Sequence, residues 1–164
     1  MEAHVRIKSN YTYIVIFFLI IVALFLLSGT VTAQNTPQTQ RTSIMQYAIE
    51  KRPVLAELLT TTGLAPTLSG STVYTLLAPP EEALKQLKGQ SDEKIRAVLA
   101  MHIIKGTYKA TDFKEGTPIK TSGGESLTIC RKKGATLLNG VELNAVDREL
   151  RNGIVQELNG LLHP

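Results

Sequence analysis

The chain has one cysteine, Cys130, and little excess of either charge, with 18 basic against 14 acidic residues in 164. A lone cysteine cannot close an intramolecular disulfide. An exported domain of this sequence is therefore held by its core alone, which points to a periplasm-like or bacterial surface setting rather than a cysteine scaffold. The net charge of +4 is too mild to argue for nucleic acid. The single dense basic run, Arg131-Lys132-Lys133 before Gly134, has no aromatic neighbours on which bases could stack, and it reads as a solvated hairpin turn. Of the three histidines, His4 and His163 lie at the two ends of the chain, so no metal-ligand cluster is in view. Ser69, Ser71, Ser122 and Ser126 sit in turn-like contexts without a base and an orienting group. No catalytic residue, metal or cofactor is implied.

A long apolar run occurs once, and it is N-terminal. Met1–Asn10 carries Arg6 and Lys8, Tyr13–Leu27 is almost unbroken apolar sequence, and small residues follow to Val31-Thr32-Ala33. That order is a secretory signal peptide over residues 1–33, with cleavage expected after Ala33. Its apolar core is shorter than the roughly 20 residues a spanning helix prefers, although Tyr11 and the residues after Leu27 extend it enough for an uncleaved membrane anchor as the alternative. Removing Glu2, Arg6 and Lys8 with the signal leaves 16 basic and 13 acidic residues. Residues 34–42, rich in Gln and Thr, form a flexible leader.

Residues 43–164, in a chain that is 43% hydrophobic, suffice for one compact domain. Ser43-Ile-Met-Gln46 matches a capping box, and Ile44, Met45, Ala48 and Ile49 fall on one helical face. Pro53 ends or kinks that helix, and Val54, Leu55, Leu58 and Leu59 repeat the spacing up to Gly63. Two short helices thus precede the stretch around which the rest is organised, Thr72–Leu87. Val73, Tyr74, Leu76 and Leu77 are too continuously apolar for a half-exposed strand, so they predict a central strand covered on both faces. Pro79 and Pro80 end it, and Glu81-Glu82 open a helix in which Glu81 can pair with Lys85.

Ser91 caps a further helix in which Ile95, Val98, Leu99 and His102 share a face, so His102 points along the apolar side as a hydrogen-bonded core residue. From Ile103 the period turns strand-like, with segments at Leu127–Lys132, Ala135–Leu138, Val141–Val146 and Ile154–Leu158. Cys130 should lie on the face opposite Leu127 and Ile129. Asn139-Gly140 is a type I′ hairpin signal. Helices first and strands after indicate an α+β domain.

Three separated stretches together resemble the fasciclin (FAS1) domain. Thr72-Val-Tyr-Thr-Leu-Leu-Ala78-Pro79-Pro-Glu-Glu-Ala-Leu is similar to that family's first signature box. Leu99-Ala-Met101-His102-Ile-Ile-Lys-Gly106 is similar to its central Tyr-His box. Asn139-Gly140 with Asn152-Gly153-Ile-Val-Gln-Glu-Leu-Asn-Gly-Leu-Leu-His-Pro164 is similar to its closing box. The resemblance spans residues 43–164. It implies a β-wedge of two packed sheets with a cluster of short helices, and a non-enzymatic role in adhesion or matrix and envelope attachment through a protein or glycan partner at the cell surface. Ala78, Pro79, Met101, His102, Asn152 and Gly153 are the box residues, structural or partner-binding. Departures are Pro80 where the family often has Thr, Met101 where it has Tyr, and Gln156 and Asn159 where it has His and Asp. In animal members the Tyr-His region is tied to integrin binding, so Met101 argues against that partner. An alternative function is binding of a small apolar ligand, a lipid or pigment, in a groove between helices and sheet.

Overall fold

The computed structural model describes residues 14–17, 19 and 42–163. Residues 14–17 are helical, and no helix among the described residues is long and apolar enough to cross a membrane. The signal and leader assigned to residues 1–33 and 34–42 otherwise lie outside the described residues.

Helix α1 (Ile44–Lys51) begins at Ser43, whose Oγ accepts the Gln46 N–H at 3.1 Å. The reciprocal half of the box is absent, because the Gln46 amide donates to Glu50 instead. Tyr47, not Ile49, joins Ile44, Met45 and Ala48 on the buried face, and Ile49 is 55% exposed. The phase shifts because α1 is only two turns long and packs beside α2 (Pro53–Thr61), which starts one residue after α1 ends, with Pro53 at its first position. A third helix, α3 (Ala65–Ser69), which the sequence pattern did not reveal, follows Gly63; at five residues it is too short to display a period.

Strand β1 (Tyr74–Ala78) is buried on both faces, as expected, though it lies next to the sheet edge rather than in its middle, and Val73 precedes it and is 42% exposed. Helices α4 (Glu81–Lys85) and α5 (Asp92–Met101) come next. Lys85 pairs with Glu82, one turn away, because Glu81 is turned inward to accept the Val54 N–H at the start of α2. The remaining strands are β2 (Ile103–Lys105), β3 (Ile119–Lys120), β4 (Ser126–Leu127), β5 (Ile129–Lys132), β6 (Ala135–Leu138), β7 (Val141–Leu150) and β8 (Gly153–Leu158). The segment read as Leu127–Lys132 is thus divided at Thr128, and β7 runs four residues past Val146.

Six strands form one sheet in the order β2-β1-β8-β7-β6-β5, and β3-β4 form a small second one. Strand β1 runs parallel to β8 and antiparallel to β2, so the first and last strands of the large sheet's chain order lie side by side. Residues in register share a face: Ile103, Leu76 and Val155 line up across three strands and point to the helices. There they meet Leu55, Leu59, Leu84 and Leu99 in the larger core. Their neighbours Leu77, Ile104 and Leu158 point the other way. Phe113, Leu138 and the small sheet's Ile119 and Leu127 close over them as a second core. Two layers on a central sheet explain why β1 and β8 carry no alternation. The two predicted turns form as expected, with left-handed φ at Asn139 and Gly140 (47° and 82°) and at Lys133 and Gly134 (50° and 85°).

Candidate functional site

The six box residues fall in two groups, at opposite ends of β1, separated by about 13 Å at ~3.3 Å per residue. At the strand's end, Ala78 and Pro79 are buried beneath the turn into α4. Met101 and His102 close α5 beside them, and the His102 carbonyl accepts the Leu77 N–H at 2.8 Å. The His102 side chain has 0% exposure. Its Nδ1 lies 2.8 Å from the Val98 carbonyl, an oxygen that can only accept, so the proton is on Nδ1. Its Nε2 accepts the Leu162 N–H at 3.0 Å. Burial lowers the His102 pKa from 6.5 to about 4, outweighing the bond to Val98 that favours protonation. A neutral ring with both nitrogens bonded to backbone has no site for a substrate proton or a metal ion.

At the strand's start, Asn152 and Gly153 occupy the tight connection from β7 to β8. The Asn152 Oδ1 accepts the Ile44 N–H at 2.8 Å, one of the unpaired donors of α1's first turn. Its Nδ2 donates to Leu68 at 2.7 Å and Gly70 at 3.1 Å, which ties down the end of α3. Gly153 has φ of 143°, and a Cβ there would stand 1.7 Å from the Tyr74 carbonyl oxygen. Only glycine lets β8 approach β1 so closely.

Gln156, at the position of the family's His, is fully buried on β8. Strand β7 slips register between Asn144 and Arg148, and Asp147 within this bulge has φ of 43°. The Gln156 Oε1 accepts the Asp147 N–H at 3.1 Å, while its Nε2 donates to the Asp147 carboxylate and to Tyr108. Asp147 also accepts the Ala110 N–H at 2.7 Å. The carboxamide thus satisfies the bulge and anchors the loop after β2. Among the described residues, no group of three or more His, Cys, Asp or Glu is placed to hold a metal ion.

Among the described residues, an accessible concavity lies elsewhere. An open groove of about 480 Å³ runs along the face of α5 opposite Ile95 and Leu99. Glu93, Arg96, Ala97 and Ala100 form one wall, at helical spacing. Facing them are Leu64 and Thr67 from the second and third helices' junction, Tyr74, Ile103, and Ser122-Gly123 from the β3–β4 turn. That turn is strapped down by Ser122 N–H to the Ile103 carbonyl at 2.7 Å and Gly123 N–H to the Ala100 carbonyl at 3.2 Å. Arg96 Nη1 donates to the Thr62 carbonyl, which fixes the guanidinium at one end. The sequence suggested a groove between helices and sheet but not which residues line it; the one sequence signal for this lining is the small pair Ala97 and Ala100 on the polar face of α5.

A sequence profile of the fasciclin domain matches residues 51–164. Periostin of Homo sapiens is 23% identical over 122 residues, a match covering 74% of this chain and 15% of periostin. Among solved structures, a FAS1 domain pair from the insect cell adhesion molecule fasciclin I superposes with a TM-score of 0.60 at 14% identity, covering 76% of this chain and 52% of that one. At that identity the likeness is one of fold. The chain spans about half the length of the domain pair and far less of periostin.

Proposed function

The chain belongs to the fasciclin family, and from that membership we propose that it is a non-enzymatic, exported surface module for cell adhesion or for attachment to matrix or envelope, acting by binding a protein or glycan partner. The observation that carries this reading is the family match over residues 51–164. The relative of known structure, which comes from a cell adhesion molecule, supports it. All six box residues are buried, and two of them, His102 and Asn152, tie distant backbone segments together, so we read their role as structural, with the partner meeting the exposed surface instead. The N-terminal signal over residues 1–33 delivers the domain to the outside, with the leader 34–42 as spacer and the domain occupying 43–164; if the signal is retained, it holds the domain at the membrane. The small-ligand alternative is less well supported, because the groove carries Glu93 and Arg96 on its wall and suits a polar ligand better than a lipid.

The test is attachment. Surfaces coated with the full exported chain should retain envelope or matrix material from the producing organism saturably, and soluble protein should compete. Retention no greater than on an inert protein coat overturns the proposal. Native mass spectrometry of the purified chain addresses the alternative, since a co-purifying apolar small molecule would favour it.

A further inference from the structure

We propose that the groove along α5 is a saccharide site, taking a short stretch of a neutral glycan. This deepens the proposed adhesive function and rests on it for biological meaning, though not for its chemistry. The volume of about 480 Å³ falls in the range of small-ligand sites, and the groove is partly open to solvent.

The lining offers three kinds of surface. Ala97 and Ala100 provide an apolar floor, backed by the buried Leu64 and Ile103, and the two alanines are so small that the backbone of α5 is approachable. A Cβ added at Gly123 would meet the Ala100 Cβ at 3.6 Å, an ordinary contact, so the far wall lies directly against this floor. Tyr74 is half-buried, packs against the helix-side core and lines the groove. Around this floor stand Glu93, which only accepts hydrogen bonds, Arg96, which only donates, and the hydroxyls of Thr67 and Ser122, which do both.

A sugar ring matches this set on each count. Its C–H face lies on aliphatic or aromatic carbon, and its hydroxyls both donate and accept, so each can bridge a carboxylate and a guanidinium. One acid and one base on the same wall leave the groove without net charge, which disfavours a polyanion or a polycation. A lipid chain would bury the Glu93 carboxylate, and the Arg96 donors that Thr62 does not take, without partners, at a penalty the apolar floor is too small to offset.

The experiment titrates the full exported chain, labelled with ¹⁵N, with a panel of neutral trisaccharides of glucose, mannose, galactose and N-acetylglucosamine, alongside a hyaluronan tetrasaccharide as the acidic comparison. We expect at least one neutral trisaccharide to shift the amides of Ala97, Ala100, Ser122 and Gly123 saturably, and the acidic probe to shift them weakly or not at all. Ala97→Leu, an exposed helix position where leucine is well tolerated, should fill the groove and abolish those shifts. Glu93→Gln, which keeps the shape, should weaken binding about tenfold by loss of a charged acceptor. Circular dichroism melts of both variants check that each is folded. No groove shifts with any neutral sugar, a stronger response to hyaluronan, or undiminished binding by a folded Ala97→Leu overturns the inference. If the sugar does not bind while surface attachment persists, the saccharide site fails and the adhesive reading stands. If sugar binds without attachment, the reverse holds.

Discussion

His102 and Gly153 decide how the chain closes on itself, His102 by bonding the tail and Gly153 by leaving room where no other residue fits. Replacing His102 with Ala leaves the Leu162 N–H buried without an acceptor and opens a cavity, and the domain should lose about 3 kcal/mol in denaturant unfolding. The same residue predicts a pH dependence. Its folded pKa of about 4 lies below the ordinary 6.5, so between these values the unfolded chain binds a proton that the folded one refuses. Stability is therefore full above pH 6.5, falls as the pH drops towards 4, and by then has lost roughly 3 kcal/mol. In His102→Ala that slope should be gone, and a wild-type profile flat from pH 7 to 4.5 would contradict the assignment. Gly153→Ala meets the Tyr74 carbonyl oxygen at 1.7 Å. It should cost about 4 kcal/mol or more, seen as loss of soluble protein or of a cooperative melt.

At the scale of elements, helices α1 and α5 use the same device with different geometry. Ser43 accepts the Gln46 N–H at 3.1 Å, whereas Ser91 accepts the Lys94 N–H at 3.4 Å and is exposed. Ser43→Ala should therefore cost about 1 kcal/mol and Ser91→Ala about half as much, with the difference read from urea midpoints. The ranking has a second reason. Asp92 and Glu93 already place negative charge in the first turn of α5, whereas α1 has no acid there. The β7 bulge follows the same logic of satisfied backbone. Asp147 holds a left-handed φ without being glycine, and that conformation is stabilised by Gln156, nine positions away on the adjacent strand.

Across the whole molecule, the parallel pairing of β1 with β8 joins residues some eighty positions apart. His102 fastens the tail at Leu162 beneath the end of α5. The C-terminal segment is thus a structural member rather than an appendage. Removing residues 161–164 should lower the melting temperature by several degrees, since it deletes the buried Leu161 and Leu162 and the partner of the imidazole. A melt within one degree of the full chain would show the tail to be dispensable. Export belongs to this scale too. The intact mass of the exported chain should begin at Gln34, and a product that retains Met1 in the membrane fraction would favour the anchor.

What the sequence by itself determined is whatever depends on neighbours in the chain. The Asn139-Gly140 and Lys133-Gly134 turns, the Ser43 and Ser91 caps, the inward phase of His102 and the doubly covered β1 each follow from a few adjacent residues, and the three boxes were enough to place the family. Tertiary structure decided the rest. It turned Glu81 from Lys85 to the start of α2, put Tyr47 in the core in place of Ile49, and gave Asn152 its contact with Ile44 across 108 positions. It also assembled the groove from four separate segments of chain. These outcomes rest on contacts between residues far apart in the chain, where loop closure, packing volume and the pairing of buried polar groups select among arrangements that local periodicity leaves equal.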